Sequence, residues 1–407
     1  MAKVAILGFG TVGSGVAEVL RENAAGIAHN AAEEITLKYI VDIRDFPESP
    51  YGSAHIKDFS VVEQDPEVTI VVETIGGVGV AYNFTKRALL AGKSVVTSNK
   101  ELVAAHGLEL LAIAKEMNVN YLFEASVGGG IPIIRPITQC LAANELDEVY
   151  GILNGTTNYI LTSMVKDGAA FEDALKEAQR RGYAEQDPSA DIEGKDAARK
   201  ICILADLCFG KNVEPDGVFT RGIGTVTADD VEYARRLGCK IKLLGRAVRL
   251  PEGRALVYVA PHLIHKTSLL SNVDGVMNGI VVRGNAIGEA MFYGAGAGKL
   301  PTASAVTADI IDAAKHRKAR KYLGWEASEP GYAVSPESVP MSWYVRTDSS
   351  LTAVGAAFPK VRLVSFPGEY PGAGPDHYAF VTEKASLAEL RSRLDSLNIL
   401  SLFPVLD

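Results

Sequence analysis

The chain has 407 residues, 47% of them hydrophobic, and a formal net charge of −8. That length gives room for two or three domains with a substantial core and excludes a disordered chain. The acidic balance argues against nucleic acid as a partner, and apolar runs broken well short of a bilayer span argue against a membrane one.

The start, MAKVAILGFG, enters a strand directly with no signal pattern, so a cytoplasmic protein is expected. Val4–Leu7 predicts a strand, Gly8-Phe9-Gly10-Thr11-Val12-Gly13 follows at once, and Ser14–Arg21 predicts a helix. Strand, glycine turn and helix in that order form a dinucleotide site. Gly8 permits the turn, Gly10 lets backbone approach a pyrophosphate, Gly13 allows close packing, and the helix start offers N–H groups to phosphate. The strand Ile35–Val41 runs into Asp42-Ile43-Arg44-Asp45, where the adenosine ribose should be read. Asp42 would bind a 2′-hydroxyl and favour NAD, Arg44 would meet a 2′-phosphate and favour NADP, and both stay open.

Val68–Glu73 and Ser94–Thr97 predict further buried strands of a parallel sheet, with a helix over Ala81–Leu90 between them. Ligands bind beyond the carboxyl ends of such strands, so Thr97-Ser98-Asn99-Lys100 should border the nicotinamide, which makes Lys100 a site candidate. Tyr121–Ala125 predicts the next strand. The loop Ser126–Pro132 after it can ligate a hard cation through backbone carbonyls together with Glu124, or simply make a tight turn beside the cofactor.

After Pro132 the pattern changes to α+β. Val149–Leu153 is strand-like, and Asn154-Gly155-Thr156-Thr157-Asn158-Tyr159 reads as a polar turn before a helix, a place that welcomes a carboxylate. Gly182–Lys200, GYAEQDPSADIEGKDAARK, crowds Glu185, Asp187, Asp191, Glu193 and Asp196 beside Lys195, Arg199 and Lys200 ahead of a helix. Asp191 or Ser189 suits the N-cap, and Asp196 and Lys200, four apart, share one helix face. Such a stretch is either a solvated helix start or a carboxylate-rich pocket that holds an ammonium group while a lysine hands a proton to an oxygen.

Arg235–Val248 and Ala255–Ala260 predict strands. Gly294–Ser304 is a second glycine-rich loop, which opens a helix through Ala314 and could close over the cofactor. The basic run KHRKARK at 315–321 reads as the exposed face of one helix, and the tail from Met341 as a small α+β module. Cys140, Cys202, Cys208 and Cys239 include no C-x-x-C pair, so buried, reduced thiols are expected.

Taken together, GFGTVG, TSNK at 97–100, EASVGGGIPII at 124–134, NGTTNY at 154–159, GYAEQDPSADIEGKDAARK and GAGAGKLPTASAV at 294–306 resemble homoserine dehydrogenase, in order and spacing, over residues 1 to about 320. The resemblance implies NAD(P)-dependent interconversion of L-aspartate 4-semialdehyde and L-homoserine. It places substrate carboxylates at Glu185, Asp191 and Asp196, a proton-donor lysine at Lys200, and a second lysine near the reacting carbon at Lys100. It implies a monovalent cation, sodium, at Glu124 with the carbonyls of Val127, Gly129 and Ile131. Cofactor contacts would be Gly10, Thr11, Val12, Gly13, Thr97, Lys100, Gly298 and Glu185, while Gly155, Thr156 and Tyr183 would line the substrate.

The chemistry of the residues agrees with this. A buried substrate ammonium needs opposite charge, which buried Glu185 and Asp191 would supply. A lysine is ordinarily protonated at neutral pH and can protonate the oxygen on which reduction builds charge, with Asp196 orienting it.

The expected architecture is α/β. A Rossmann-type dinucleotide domain spans 1–132, completed by 296–320. An α+β substrate and dimerisation domain spans 133–295, and a divergent ACT-like α+β module 341–407. The stretch DSSLTAVGAAFPKV within that module lacks a clear effector-turn signature. A homodimer or homotetramer is expected. A nucleotide- and amino-acid-binding sensor, or an oxidoreductase of another small amino-acid semialdehyde, are the competing readings.

Overall fold

The computed structural model describes residues 1–317, 319–321, 323–365 and 377–406. Lys318 of the basic run, and 366–376 and Asp407 of the expected C-terminal module, lie outside the described residues. Contacts group the chain into two units: 1–146 with 202–215 and 283–328, and 147–201 with 216–282 and 329–407. Residues 133–146, 202–215 and 283–295, which the sequence assigned to the substrate domain, group with the first unit. No helix among the described residues is long and apolar enough to cross a membrane.

In the first unit the apolar runs become strands β1 (Ala2–Leu7), β2 (Ile35–Val41), β3 (His55–Ile56), β4 (Val68–Glu73), β5 (Ser94–Thr97) and β6 (Tyr121–Leu122). They form one parallel sheet in the order β3-β2-β1-β4-β5-β6, the doubly wound arrangement of a dinucleotide-binding fold. β1 and β4 are almost wholly buried, as strands covered on both faces must be. Helices α1 (Thr11–Glu22), α2 (Gly79–Leu90) and α3 (Lys100–Glu116) connect them. The later helix Lys299–Lys315 packs on α1 at Gly15, where a Cβ would stand 2.9 Å from the Lys299 carbonyl oxygen.

Three expectations in this unit are corrected. The strand predicted over Tyr121–Ala125 stops at Leu122, the last residue that pairs with β5, and residues 125–128 then form a helical turn. The basic run is not a helix face. The helix ends at Lys315, with the His316 N–H closing it on the Asp312 carbonyl. Cys140 is exposed rather than buried, while Cys202 and Cys208 are buried and Cys239 is intermediate.

The second unit begins within β7 (Leu146–Ile152), which leads to α4 (Gly155–Lys166), α5 (Phe171–Arg180), the single turn α6 (Ser189–Ile192) and α7 (Lys195–Phe209), whose residues from Cys202 on group with the first unit. Then come α8 (Ala228–Arg236), β8 (Cys239–Arg249), β9 (Ala255–His265) and β10 (Met277–Gly284). Arg235, predicted in a strand, closes α8 instead, beneath a capping box of Thr227 and Asp230. The tail adds β11 (Trp343–Thr347), α9 (Leu351–Ala357), β12 (Val364–Ser365), β13 (Tyr378–Val381), α10 (Leu387–Leu394) and β14 (Ile399–Leu406). The strands run β10-β7-β8-β9-β14-β11-β13-β12. The tail is thus a βαββαβ unit with antiparallel β14-β11-β13-β12, the split-βαβ topology.

Its last strand also pairs in parallel with β9, Leu263 opposite Val405 and Ile264 opposite Leu406. One core therefore serves both: Leu256, Tyr258 and Ala260 of β9 pack with Met341, Trp343, Val345, Phe358, Phe380 and Leu390. A polar clamp accompanies it. Asp230, fully buried on α8, accepts from Arg346 Nε at 2.7 Å, Ser401 Oγ at 2.9 Å and Tyr344 Oη at 3.1 Å.

Removing the guanidinium would strand a buried carboxylate. Arg346→Ala is expected to lower stability by about 3–5 kcal/mol, read by urea unfolding. A loss below about 1 kcal/mol would give the clamp no more weight than a surface ion pair.

Candidate active site

The glycine turn after β1 has the shape a pyrophosphate needs. A Cβ on Gly13 would fall 2.0 Å from the Gly8 carbonyl oxygen, so the helix start lies directly against the turn, whereas a Cβ on Gly10 would meet only Arg44 Nη2 at 4.0 Å. The space over Gly10 and the start of α1 is open, with Thr11 exposed and Val12 half-buried. Asp42, at the end of β2, accepts from the Phe9 N–H at 2.7 Å, the Arg44 N–H at 2.9 Å, Arg44 Nε at 3.0 Å and Arg44 Nη2 at 2.8 Å. The Arg44 guanidinium holds its carboxyl far below the usual carboxylate range. The two ribose-reading candidates are therefore one pair. Phe9, edge-on to Phe46 and His55 with centroids 5.0 Å away, fastens the loop beyond β2 to the glycine turn.

Glu73 ends β4 with a fully buried carboxylate. It accepts from the Ile75 N–H at 2.7 Å and from Thr97 Oγ1 at 2.6 Å, and Thr97 Oγ1 in turn accepts from the Asn99 N–H. Burial pushes the Glu73 carboxyl up against those hydrogen bonds. The Thr97 hydroxyl is thereby committed to holding the loop. Asn99 caps α3, which opens at half-buried Lys100.

The two glycine-rich loops of this unit interlock. Gly129 has φ +59°, and a Cβ there would fall 2.2 Å from the Gly296 carbonyl oxygen; the Gly130 N–H donates to the Ala295 carbonyl at 3.0 Å. Gly298 precedes the Lys299–Lys315 helix at φ +128°. The Glu124 carboxylate accepts from the N–H groups of Ile133 at 2.6 Å, Ile134 at 2.7 Å and Arg135 at 2.8 Å, while its own N–H donates to Asp309. Burial and the neighbouring Glu124 push the Asp309 carboxyl up to about 8. Among the described residues no group of three or more His, Cys, Asp or Glu side chains could hold a metal, so any cation here needs carbonyl ligands such as those of Val127, Gly129 and Ile131.

In the second unit the acidic stretch folds around Lys200. α7 lies against β8 at Gly245, where a Cβ would stand 2.8 Å from Leu153 Cδ1 and 3.0 Å from Ile201 Cβ. That closeness brings Lys200 Nζ to the Leu153 carbonyl oxygen at 2.8 Å, and Asp196 Oδ2, one turn earlier on the same helix, stands 2.8 Å from it. Lys200 and Asp196 are buried, at 8% and 5% exposure, so the ion pair is shielded from water. Asn154 stands beside them. Its Nδ2 donates to Asp191 Oδ1 at 2.7 Å and to Asp196 Oδ2 at 2.9 Å, and its Oδ1 caps α4 by accepting from the Thr157 N–H at 2.9 Å.

The helix starts differ from expectation. Asp191 and Ser189 do not cap α7; they belong to the separate turn α6. Gly194, at φ +85° with Thr220 and Val259 side chains against it, then redirects the chain, and its carbonyl accepts the first bond of α7, from the Ala198 N–H at 2.9 Å. The NGTTNY segment is not a turn ahead of a helix. It is the helix start itself, with Gly155, Thr156 and Asn158 in α4. Thr156 Oγ1 donates to the Tyr183 carbonyl at 2.6 Å, and the Tyr159 and Tyr183 rings meet at 5.1 Å.

Asp191, Asp196 and Lys200 thus come together around Asn154, with Gly155 and Thr156 next in chain. Glu185 does not join them. It was expected buried, but it lies exposed on the 181–188 loop, as Tyr183 does, where Tyr183 and Ala184 bond back to the Ala178 carbonyl; Asp191, also expected buried, is half-buried. Two organising residues were missed. Asn154 was passed over within a polar turn, although its place before a helix signalled a cap. Glu73 was read as the end of an apolar strand, although a carboxylate at a strand's carboxyl end is itself a signal.

The known proteins that the chain resembles agree with one another. Family models described as "Homoserine dehydrogenase, NAD binding domain" and "Homoserine dehydrogenase" match residues 8–124 and 132–311. The chain is 45% identical over 314 residues to a homoserine dehydrogenase of Neisseria gonorrhoeae, covering 77% of this chain and 72% of that one. The crystal structure of a homoserine dehydrogenase from Thiobacillus denitrificans aligns with TM-score 0.89 at 36% identity over 100% of this chain and 98% of that one. A hyperthermophilic archaeal homoserine dehydrogenase in complex with NADPH aligns with TM-score 0.64 at 30% identity, covering 77% of this chain and 97% of its own.

Glu73 supplies a pH test. Because its folded-state pKa is raised, folding binds a proton above the unfolded carboxyl's range, so its contribution is full at acid pH and is lost as pH climbs through the folded pKa. Glu73→Gln is expected to match the wild type at the lower end of the carboxyl range and to become the more stable protein as pH rises through the folded pKa. Between the unfolded and the folded pKa the gap widens by about 1.4 kcal/mol for each pH step of one. Parallel unfolding curves at every pH would reject this assignment.

Proposed function

The chain belongs to the homoserine dehydrogenase family, and on that footing we propose how its own side chains carry the reaction. It is an NAD(P)-dependent oxidoreductase that interconverts L-aspartate 4-semialdehyde and L-homoserine. The nicotinamide supplies or accepts the hydride at C4 of the four-carbon substrate.

Lys200 is the acid. An ammonium carries three protons, and among the described residues Lys200 has two acceptors, the Leu153 carbonyl and Asp196, so a third proton is available to an aldehyde oxygen. This observation carries the reading. In reduction Lys200 stabilises the charge developing on oxygen and gives up the proton; in oxidation of homoserine it takes the hydroxyl proton back. Asp196 keeps the ammonium in place, and Asp191 faces the substrate ammonium, which needs an opposite charge once it leaves water. The substrate carboxylate would meet the start of α4 at Gly155 and Thr156, where N–H groups and the helix dipole favour an anion. Tyr183 and Glu185, on an exposed loop, would complete the lining. Lys100 we keep as a second cationic contributor.

Gly8, Gly10, Thr11, Val12, Gly13 and Gly298 would hold the dinucleotide backbone, and the Asp42–Arg44 pair would read the ribose. A 2′-hydroxyl must take Arg44's place on Asp42, whereas a 2′-phosphate draws Arg44 to itself. A sodium ion would sit among the carbonyls of Glu124, Val127, Gly129 and Ile131. The βαββαβ tail supports reading 341–407 as an ACT-like module, and a homodimer or homotetramer is the proposed assembly, which sedimentation velocity decides.

One assay of L-homoserine oxidation tests these roles. Lys200→Ala is expected to lower kcat by about two to four orders of magnitude with cofactor affinity near normal; loss of cofactor binding instead would remove Lys200 from the acid role. Arg44→Ala is expected to raise the ratio of kcat/KM with NAD to that with NADP, and an unchanged ratio would take ribose reading away from the pair. Run with tetramethylammonium in place of sodium, and with added threonine, the same assay reads the cation and the tail.

A further inference from the structure

The N-cap of α4 presents a choice that helix capping alone does not explain. Asn, Asp and Ser cap helices about equally well, yet position 154 carries the one of the three whose side chain offers an acceptor and two N–H donors at once. All three are used. Oδ1 accepts from the Thr157 N–H, which fixes the orientation of the amide, and the two Nδ2 hydrogens then go to Asp191 Oδ1 at 2.7 Å and Asp196 Oδ2 at 2.9 Å. Asn154 is itself buried. An aspartate here would add a third carboxylate to two that already repel, and a serine would cap the helix while leaving at least one acid without its donor.

We propose that Asn154 is a positioning residue for the reaction, its amide setting the spacing between the carboxylate that meets the substrate ammonium and the carboxylate that holds Lys200. This deepens the assignment of Asp191, Asp196 and Lys200 and rests on it. Lys200 is held at two points, Asp196 Oδ2 and the carbonyl of Leu153, the residue just before Asn154. Asp196 Oδ2 takes both the lysine and the amide. A shift of Asn154 therefore moves the amino-group end and the aldehyde end of the site together.

The test is Asn154→Ser, which keeps the cap, measured beside the wild type and Lys200→Ala for thermal midpoint, cofactor KM, homoserine KM, kcat and the solvent deuterium isotope effect on kcat. The expected result is a midpoint and cofactor KM near wild type, a homoserine KM raised tenfold or more, a kcat lowered tenfold or more, and a larger isotope effect because the proton is passed less directly. Wild-type kinetics in Asn154→Ser would overturn the proposal. Should the serine variant unfold early, Asn154→Asp, an equally good cap, decides: normal stability with normal kinetics overturns it, and normal stability with impaired kcat and KM supports it. If Lys200→Ala stays active, the underlying lysine assignment fails. If Lys200→Ala is inactive while Asn154→Ser is normal, only the role of Asn154 falls.

Discussion

A lysine ammonium that is nine-tenths buried is the constraint to which the second unit is built. Taking that charge out of water costs several kcal/mol unless an opposite charge and further acceptors meet it. Asp196, one helical turn earlier, supplies the charge, and the Leu153 carbonyl supplies a second acceptor. That carbonyl is within reach only because α7 presses on β8 at a glycine. The helix can start where it does only because Gly194 turns the chain out of α6. The part of the acidic stretch from Gly194 to Lys200 is arranged so that one cation is buried without being left unsatisfied.

The first unit rests on a different economy, in which carboxylates organise backbone. Glu73 joins the loops after β4 and β5, Asp42 joins the glycine turn to the loop after β2, and Glu124 gathers three successive N–H groups. These acids face backbone donors that glycine-rich loops leave exposed, which is how segments with few side chains hold one shape. The interlocking of Gly129 with Gly296 belongs to the same pattern: two loops pack backbone to backbone where any side chain would part them.

Much of this was legible in the sequence, unevenly. β2, β4 and β5 match the predicted ranges residue for residue; β4 and β5 are buried parallel strands and read as apolar runs, while β2, buried only at Ile40 and Val41, is marked by its β-branched and aromatic residues. The spacing of Asp196 and Lys200 predicted a shared face that is now a 2.8 Å contact. What spacing could not show was which charges point inward. Glu185 and Asp196 look alike in the chain, yet one lies on a loop in solvent and the other on the buried side of a helix. Asn154 escaped because capping explained it sufficiently, and a residue with one evident task hides a second. The cap of α7 was misplaced because Gly194 has no side chain to announce itself. The core shared by β9 and the tail joins residues distant in sequence, which no local pattern records.

That shared core bears on how the chain acquires its structure. Leu263 and Val405 are paired across about 140 residues of intervening chain, and parallel pairing at such range is among the slower events of folding because loop closure precedes any gain from contact. The face of β9 that carries Leu256, Tyr258 and Ala260 takes most of its buried cover from Met341, Trp343, Val345, Phe358, Phe380 and Leu390, all of them in the tail. A chain that has made β9 but not the tail therefore exposes apolar surface that the finished fold buries, the kind of surface on which incomplete chains aggregate.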